Sequence, residues 1–344
     1  MAAVTGVKRA SWEMSGGKTN GLIDAFELLE VITDKLRSSG QCRDPNVLVF
    51  LDYDGTLTPI VDNPTDAVLP SRTKQTLELL SKKFPTIIVT GRSHEKVENF
   101  VKNEDILYCG SHGLRIKGKT KGLDIAQFQI GQEYLPVLKM CAKEIKAAVI
   151  DKIQGSEIEW NGLCFTVHYR RVPEEHRQLL LKLVRDILQK YNLDNVLDTI
   201  NTHLKIEKQN NEQNFEEISI DGFKGLKQRT GKMVIEVLPS IDWNKGKCLS
   251  WVLDKYRQGI ASGIGDQNDK TGNVAFEPIV LYIGDDVTDE DAFKTVMELK
   301  QDSSFGIVVN ENTGTGLPRE TNAKYILPST IQVESFLSQL LHVC

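Results

Sequence analysis

The sequence predicts an α/β protein with a doubly wound, mainly parallel core sheet and an inserted α+β domain. Three observations support this prediction. Short, continuous apolar runs alternate with helix-like segments over residues 41–114. The same alternation returns over 240–344. Between them, residues 115–239 combine long helical stretches with alternating strands, which is typical of an α+β unit.

Residues 1–40 are predicted to form an N-terminal tail and a lead-in helix. The first twenty residues are polar, as in a loose terminus, whereas 21–38 space their apolar side chains at the helical period. The run at 46–52 is apolar up to its final charge, which is typical of a strand buried on both faces of a parallel sheet. Further along, we expect a helix at 71–84, a strand at 86–91, a helix at 93–101 and a strand at 106–110.

The inserted domain and the second half of the core follow from the same reasoning. Residues 173–191 begin with proline and two glutamates, which favours a helix start, and 163–170 alternate as a half-buried strand does. The insertion is also predicted to contain a helix at 133–150, a polar loop at 207–230 and a strand at 233–239. The returning core is predicted to contain helices at 245–256, 289–300 and 330–342, strands at 279–286 and 305–310, and a Gly-rich loop at 257–276.

Composition excludes several classes of protein. The 344 residues are 40% hydrophobic and 26% charged, which indicates about two globular domains and excludes general disorder. A net charge of −5 without a basic cluster argues against nucleic acid or an anionic membrane as the main partner. No stretch is long enough to span a membrane, and no feature indicates a protein partner. Six scattered cysteines and the lack of an apolar leader predict free thiols and a cytoplasmic location.

Acidic residues follow two of the predicted buried strands. Asp52 and Asp54 come directly after the first apolar run, and Gly55 lets the chain turn away. An Asp-Gly turn with solvated acids would show the same pattern. Asp285 ends another strand and is the best metal-ligand candidate of its acidic stretch, since carboxylate oxygens there favour Mg²⁺. Asp289, in the same stretch, could also serve only as a helix cap.

A hydroxyl group and a lysine occur at two predicted helix starts. Thr90 ends a buried strand just before a helix, where backbone N–H groups bind anions, although a plain helix cap at Ser93 explains this pattern equally well. Lys245 opens another helix, where a lysine is often only solvated. Because these residues all lie at strand ends or helix starts, they can meet along one sheet edge. A carboxylate nucleophile, a phosphate clamp and Mg²⁺ together indicate phosphoryl transfer.

Residues 113–120 (GLRIKGKT) match the nucleotide-binding pattern G-x-x-x-x-G-K-[ST]. A functional loop of this kind opens a helix whose N-terminus faces the phosphates, and no good helix start follows Thr120. We therefore interpret the segment as a basic turn. ATP binding that depends on Lys119 would indicate the alternative.

The motifs together resemble the haloacid dehalogenase phosphatases and, more closely, the trehalose-6-phosphate phosphatase family. The resemblance covers residues 46–335 apart from the two polar loops, and it is most specific at 50–61 (FLDYDGTLTPIV) and 283–293 (IGDDVTDEDAF). Further matching stretches are 87–101, 108–114, 162–170 and 234–246. The resemblance implies a Rossmann-like core with an inserted cap domain of the C2 type, Mg²⁺ as cofactor and a small-molecule sugar phosphate as substrate.

At matched positions, the resemblance implies a role for each core residue. Asp52 would attack phosphorus and become an aspartyl phosphate, while Asp54 would protonate the leaving sugar oxygen and then activate water. Thr90 and Lys245 would hold the phosphoryl oxygens. The implied Mg²⁺ ligands are Asp52, the backbone carbonyl of Asp54 and Asp285, with Asp289 supporting through water.

The resemblance also implies that the cap closes over the sugar and excludes water. Its polar side chains would bind the sugar hydroxyl groups. An exposed polar strand face explains His168 and Arg170 equally well, and His168 also fits a satisfied core histidine. The candidate substrate-binding residues are Arg92, His112, Glu159, His168, Arg170 and Glu236.

Two positions depart from the family pattern. Asn161 stands where the family commonly has lysine in E-x-K-G, and Leu238 stands where it commonly has arginine in E-x-R-P. Both lie in the part that would recognise the sugar, and neither is among the phosphoryl-transfer groups. Two alternatives therefore stay open: a related phosphatase that acts on another sugar phosphate, and a non-catalytic sensor that binds one.

Overall fold

The computed structural model describes residues 21–42, 46–191, 225–231, 233–261, 277–299, 302–310 and 320–343. The strands are β1 (Ile23–Asp24), β2 (Val47–Leu51), β3 (Thr86–Val89), β4 (Leu107–Gly110), β5 (Arg115–Thr120), β6 (Leu123–Gln129), β7 (Glu157–Trp160), β8 (Phe165–His168), β9 (Leu226–Gly231), β10 (Val234–Pro239), β11 (Ile279–Gly284), β12 (Ser304–Val309) and β13 (Tyr325–Leu327). The α-helices are α1 (Leu28–Ser38), α2 (Ser71–Lys83), α3 (His94–Val101), α4 (Leu135–Ile145), α5 (Glu174–Lys190), α6 (Lys245–Ala261), α7 (Glu290–Glu298) and α8 (Thr330–Leu340).

These strands form two sheets. The larger has the order β1-β13-β12-β11-β2-β3-β4-β5-β6. It is parallel from β1 as far as β4, and the β5–β6 hairpin at its edge is antiparallel. The smaller sheet, β7-β8-β10-β9, is antiparallel. From β2 the chain builds β3 and β4 on one side and β11 to β13 on the other, so a crevice forms at the carboxyl ends beside β2.

Strand β2 shows why the core strands read as continuous apolar runs. Val47, Val49 and Leu51 pack on one face of the large sheet, whereas Leu48 and Phe50 pack on the other. Helices α1, α2, α3 and α8 cover the first face, and α6 and α7 cover the second. Because both faces are covered, every residue of β2 is buried. The doubly wound, mainly parallel sheet that the sequence predicts is confirmed.

The four-stranded sheet has a hydrophobic core of its own. Phe165 and Val167 of β8 and Val237 of β10 pack there against α4 and α5. The helices predicted at 133–150 and 173–191 are present, the first as α4 followed by a π-helical turn. The middle of the chain therefore contains the predicted α+β unit.

The large sheet is wider than the sequence predicts. Residues 115–129 form the β5–β6 hairpin, and β5 pairs with β4, so this segment extends the large sheet although the predicted insertion begins at 115. The lead-in segment also joins the core, because β1 pairs with β13 and Leu28 and Ile32 of α1 are fully buried. The other predicted domain boundaries stay predictions.

Two segments predicted as loops prove to be partly regular. The end of 207–230 forms β9, whose sequence LKQRTG is too polar to read as a strand. The segment at 257–276 begins as the last turn of α6. The rest of both segments, together with 1–20, lies outside the described residues.

The remaining expectations have different outcomes. Residues 115–120 of the nucleotide-loop pattern form a strand of an antiparallel hairpin, which confirms the interpretation against a phosphate-binding loop. Four of the cysteines (Cys109, Cys141, Cys164 and Cys248) are buried free thiols. Cys42 is disulfide-bonded, so the expectation of free thiols is wrong there. Among the helices described, none has the length and apolar character needed to cross a membrane.

Candidate active site

A cleft between the two sheets collects the polar residues that the sequence singled out. Its volume is about 190 Å³. The candidate that does not line it, Asp289, is fully buried and contacts Lys245 from below the cleft. The candidates that line it are Asp52, Asp54, Thr90, Arg92, His112, Glu159, His168, Arg170, Glu236, Lys245 and Asp285.

Parallel strand ends bring the core residues of the cleft together. Asp52 follows β2, Thr90 follows β3 and Asp285 follows β11, and these strands are neighbours in the sheet. Lys245 is the first residue of α6 and is 2% exposed. Its Nζ donates to Oδ1 of Asp52 at 2.9 Å and to Oδ1 of Asp289 at 2.8 Å. A single buried ammonium group therefore joins two buried carboxylates.

The pKa values of the two carboxylates that contact Lys245 are shifted in opposite directions. Burial raises the pKa of Asp52 well above its ordinary value, and although Lys245 opposes the shift, the charges of Asp289 and Asp285 add to it. Burial alone would also raise the pKa of Asp289, but Lys245 outweighs it and the pKa falls. For Lys245, burial is outweighed by the two carboxylates, which raise its pKa. One ammonium group thus contacts two carboxylates, while the charge of a third, Asp285, acts on Asp52.

The geometry of these carboxylates fits a hard divalent cation. Asp52, Asp285 and Asp289 each offer an oxygen within 4.8 Å of the others, and Mg²⁺ prefers such anionic oxygen ligands. Gly55 permits the close approach: its φ is +79°, and a Cβ there would lie 2.2 Å from Oδ2 of Asp285. A side chain at this position would therefore fill the space beside the carboxylates.

Asp289 differs from the other two carboxylates because hydrogen bonds occupy both of its oxygens. Oδ1 accepts from the hydroxyl of Tyr282 at 2.6 Å as well as from Lys245. Oδ2 accepts from the backbone N–H groups of Asp285 at 3.1 Å and Asp286 at 2.9 Å. This carboxylate therefore fixes the end of β11 and the ammonium group of Lys245.

Arg92 contacts Asp54 through two parallel hydrogen bonds. Its Nε and Nη2 donate to the two carboxylate oxygens at 2.6 and 2.7 Å, and its Nη1 donates to the carbonyl of Pro64 at 2.9 Å. The guanidinium also lies over the rings of Tyr53 and Phe100. These contacts hold Arg92 against Asp54 at the cleft, and substrate binding by Arg92 stays a prediction.

A strained turn places His112 in the cleft. Ser111 and His112 both have positive φ values, 50° and 57°, which non-glycine residues rarely adopt. In this turn the Nε2 atom of His112 lies 2.6 Å from Oε1 of Glu236. Burial alone would raise the pKa of Glu236, but His112 outweighs it and lowers the pKa. The strain therefore positions a hydrogen-bonded His–Glu pair between the turn and the four-stranded sheet.

One cross-strand row of the small sheet faces the cleft. Thr166 on β8 pairs with Glu159 on β7 and with Glu236 on β10, and Glu236 pairs in turn with Arg229 on β9. All four side chains line the cleft. We name this set the cap row. The sequence predicted its two glutamates. It missed Arg229 because β9 did not read as a strand, and it missed Thr166 although the strand that contains it was predicted.

A trehalose-phosphatase family model matches residues 50–198 and 204–331. The chain belongs to the trehalose-phosphatase family. It is 34% identical over 309 residues to probable trehalose-phosphate phosphatase I of Arabidopsis thaliana, covering 87% of this chain and 68% of that protein. It is 33% identical over 304 residues to trehalose 6-phosphate phosphatase RA3 of Zea mays, covering 86% of this chain and 69% of that protein.

A solved structure shows the same fold. The C-terminal domain of trehalose-6-phosphate phosphatase from C. albicans has a TM-score of 0.64 and 22% identity, covering 93% of this chain and 98% of that chain, which shows the shared fold. The resemblance to the trehalose-6-phosphate phosphatase family is therefore confirmed, and the α/β fold is shared with this solved structure. As a trehalose-phosphatase family member, the protein is a phosphoric monoester hydrolase.

Lys96 places a cation beside Asn161, the position where the family pattern has lysine. From α3 of the core, its Nζ donates to Oε1 of Glu159 at 2.7 Å and to Oδ1 of Asn161 at 3.0 Å. Burial alone would raise the pKa of Glu159, but hydrogen bonds from His168 and Lys96 outweigh it and lower the pKa to about 2. A cation is therefore present beside Glu159, supplied by a different element, and the sequence reading did not find it.

His168 and Arg170 complete the set of predicted residues. The Nε2 atom of His168 lies 3.0 Å from Oε2 of Glu159, so this histidine takes part in the charged network of the cleft. Nη1 of Arg170 donates to the carbonyl of Val61 at 2.7 Å, across from the four-stranded sheet to the loop after β2. Arg170 and Lys96 thus each connect the core and the four-stranded sheet beside the cleft.

Proposed function

We propose that this protein hydrolyses trehalose 6-phosphate to trehalose and phosphate through an aspartyl-phosphate intermediate on Asp52. The observation that supports this most directly is the juxtaposition in one cleft of Asp52, Lys245 and Asp285 with the two glutamates of the cap row. The first three are groups for phosphoryl transfer. The cap row supplies acceptors for sugar hydroxyl groups. The substrate proposal also rests on relatives whose names specify trehalose phosphate.

The proposed reaction gives each of these side chains a role. An oxygen of Asp52 attacks phosphorus, a new O–P bond forms, and the bond from phosphorus to the sugar oxygen breaks as Asp54 gives that oxygen a proton. Lys245 and the hydroxyl of Thr90 donate hydrogen bonds to the phosphoryl oxygens. Asp54 then takes a proton from water, which attacks the aspartyl phosphate and releases phosphate with Asp52 restored.

Asp52, Asp285 and the backbone carbonyl of Asp54 would hold Mg²⁺. When bound, this cation supplies positive charge that lets the carboxylate nucleophile and the phosphate dianion approach each other. Asp289 and Arg92 are positioning residues in this proposal, since their contacts are with Lys245 and Asp54.

The four-stranded sheet and its helices would act as the cap that covers the substrate. Lys96–Glu159, His112–Glu236 and Arg170–Val61 contacts join it to the core beside the cleft. A cap held there excludes water from the aspartyl phosphate until the sugar has left.

The proposed reaction predicts equal amounts of trehalose and phosphate and a requirement for Mg²⁺. We expect activity to disappear in excess EDTA and to return with added Mg²⁺. Asp285→Asn removes one anionic ligand, so the Mg²⁺ concentration that gives half-maximal rate should rise at least about tenfold. The control is Asp302→Asn, an exposed acid on the loop before β12. Full activity of the protein in EDTA would contradict the metal requirement.

Lys96 offers a test of how Glu159 is held. Lys96→Met removes the charge-assisted hydrogen bond to Glu159, and we expect KM for trehalose 6-phosphate to rise roughly tenfold with little change in kcat. Lys96→Arg keeps the charge and should recover most of the affinity. Lys82→Met, on the exposed face of α2, is the control. A fall in kcat without a rise in KM would show that Lys96 does not act through sugar binding.

A further inference from the structure

Arg229 is the member of the cap row at the edge strand of the small sheet. It lies directly opposite Glu236 in the β9–β10 pairing, and residues directly opposite each other share one face of a sheet. Because Glu159, Thr166 and Glu236 of the same row line the cleft, the register alone predicts that Arg229 faces it. Arg229 does line the cleft.

The guanidinium of Arg229 has few partners within the protein. Nη1 is buried and has no hydrogen-bond partner in the part of the chain that the structure describes. Nη2 lies 3.7 Å from Oδ2 of Asp291, and these side chains are 23% and 41% exposed. A contact this long between partly exposed groups is weak. Five N–H donors with so few acceptors suit a ligand rich in oxygen.

The same face of the sheet lacks the arginine that the family pattern places two residues after Glu236. Leu238 occupies that position and is 2% exposed. Its direct partner on β9 is Lys227, whose Nζ donates to the carbonyl of Ile241 at 2.8 Å. Arg229 lies diagonally from Leu238, about 7–8 Å away along the pairing geometry, which is within reach of a long side chain. The long side chain of Arg229 can therefore extend along β9 and β10 on the face that contains Glu236.

We propose that Arg229 binds hydroxyl oxygens of the sugar and thereby helps to select the substrate. This inference rests on the proposed function of the cleft as a sugar-phosphate site. Arg229 donates hydrogen bonds to hydroxyl oxygens, while Glu159 and Glu236 accept hydrogen bonds from hydroxyl groups. The cap row thus offers both kinds of partner that a polyhydroxylated ligand needs.

The test compares a sugar phosphate with a phosphate ester that has no sugar. Arg229→Gln should lower kcat/KM for trehalose 6-phosphate about 10- to 100-fold, mainly through KM, because a charge-assisted hydrogen bond is lost. Hydrolysis of p-nitrophenyl phosphate should change less than about twofold, since the phosphoryl-transfer groups are untouched. Arg185→Gln, an exposed arginine of α5, is the matched control and should leave both rates unchanged.

Three results would overturn the inference: an equal loss on both substrates, no loss on either, or the same selective loss in Arg185→Gln. Thermal unfolding of each variant shows whether a loss reflects folding. Failure of the unaltered protein to release phosphate from trehalose 6-phosphate would count against the proposed substrate alone. The comparison is then repeated with the sugar phosphate that the protein hydrolyses fastest, by dividing its kcat/KM by that for p-nitrophenyl phosphate. If Arg229→Gln leaves this quotient unchanged, the role of Arg229 is refuted.

Discussion

Asp52→Asn is expected to abolish phosphate release from trehalose 6-phosphate while the protein stays folded. The amide cannot attack phosphorus, so the loss should reach at least about 10⁴-fold, as for removal of other covalent nucleophiles. The effect on stability should be small, because burial already raises the pKa of Asp52 and disfavours its charged form. Lys245 keeps Asp289 as a counter-charge in this variant. Initial rates of phosphate release and urea unfolding measure the two effects.

The control for Asp52→Asn is Asp254→Asn, an exposed aspartate on α6 whose side chain is 65% exposed. It should match the unaltered protein in rate and in the free energy of unfolding. If Asp52→Asn instead kept a tenth or more of the original rate, water would be attacking phosphorus directly. Asp52 would then not be the nucleophile.

Lys245→Met is expected to lower both activity and stability. The variant leaves Asp52 and Asp289 buried without the ammonium group that lies 2.9 and 2.8 Å from them. Removing one partner of a buried charge pair costs about 3–5 kcal/mol of unfolding free energy. Activity should fall about 10³-fold, because a donor to the transferring phosphoryl group is also lost. Urea unfolding and initial rates check the two predictions.

Lys247→Met is a matched control two residues along the same helix. Lys247 pairs with Asp242, and the side chains are 45% and 87% exposed, so the variant should lose less than about 1 kcal/mol. Adding Asp289→Asn to Lys245→Met removes one of the two buried carboxylates that have lost their ammonium partner. The double variant should recover part of the stability without recovering activity. Equal stability of Lys245→Met and Lys247→Met would contradict the account of this cluster.

Much of the core could be predicted because its strands are buried on both faces. The apolar runs of β2, β3, β4, β11 and β12 read directly from the sequence, as do the residues that follow them. The two polar strands β5 and β9 could not be predicted from the sequence in this way. These segments, LKQRTG and RIKGKT, form strands because neighbouring strands provide hydrogen-bond partners for their backbones. Such pairing depends on the tertiary structure, and the hydrophobic pattern of the segment itself does not reveal it.

The sequence predicted the site residues that belong to a motif and also lie at a strand end or a helix start. Asp52, Asp54, Thr90, Lys245 and Asp285 follow strands or open a helix, and parallel strand ends share an edge. Site residues on other helices and strands do not belong to such a motif, so the sequence did not identify them. Lys96 reads as an ordinary surface lysine of α3, and its proximity to Glu159 follows from how the small sheet sits on the core. Arg229 was hidden within a segment that read as a loop.

The central claim is that the cleft hydrolyses trehalose 6-phosphate in preference to other sugar phosphates. The most direct measurement is kcat/KM for trehalose 6-phosphate beside sucrose 6-phosphate, glucose 6-phosphate and a mannosyl-glycerate phosphate, all with Mg²⁺ present. We expect kcat/KM to be at least about 100-fold higher for trehalose 6-phosphate than for the other esters, because in the proposed function the cap row contacts the sugar. Equal values across the panel, or tight binding of trehalose 6-phosphate without phosphate release, would contradict it.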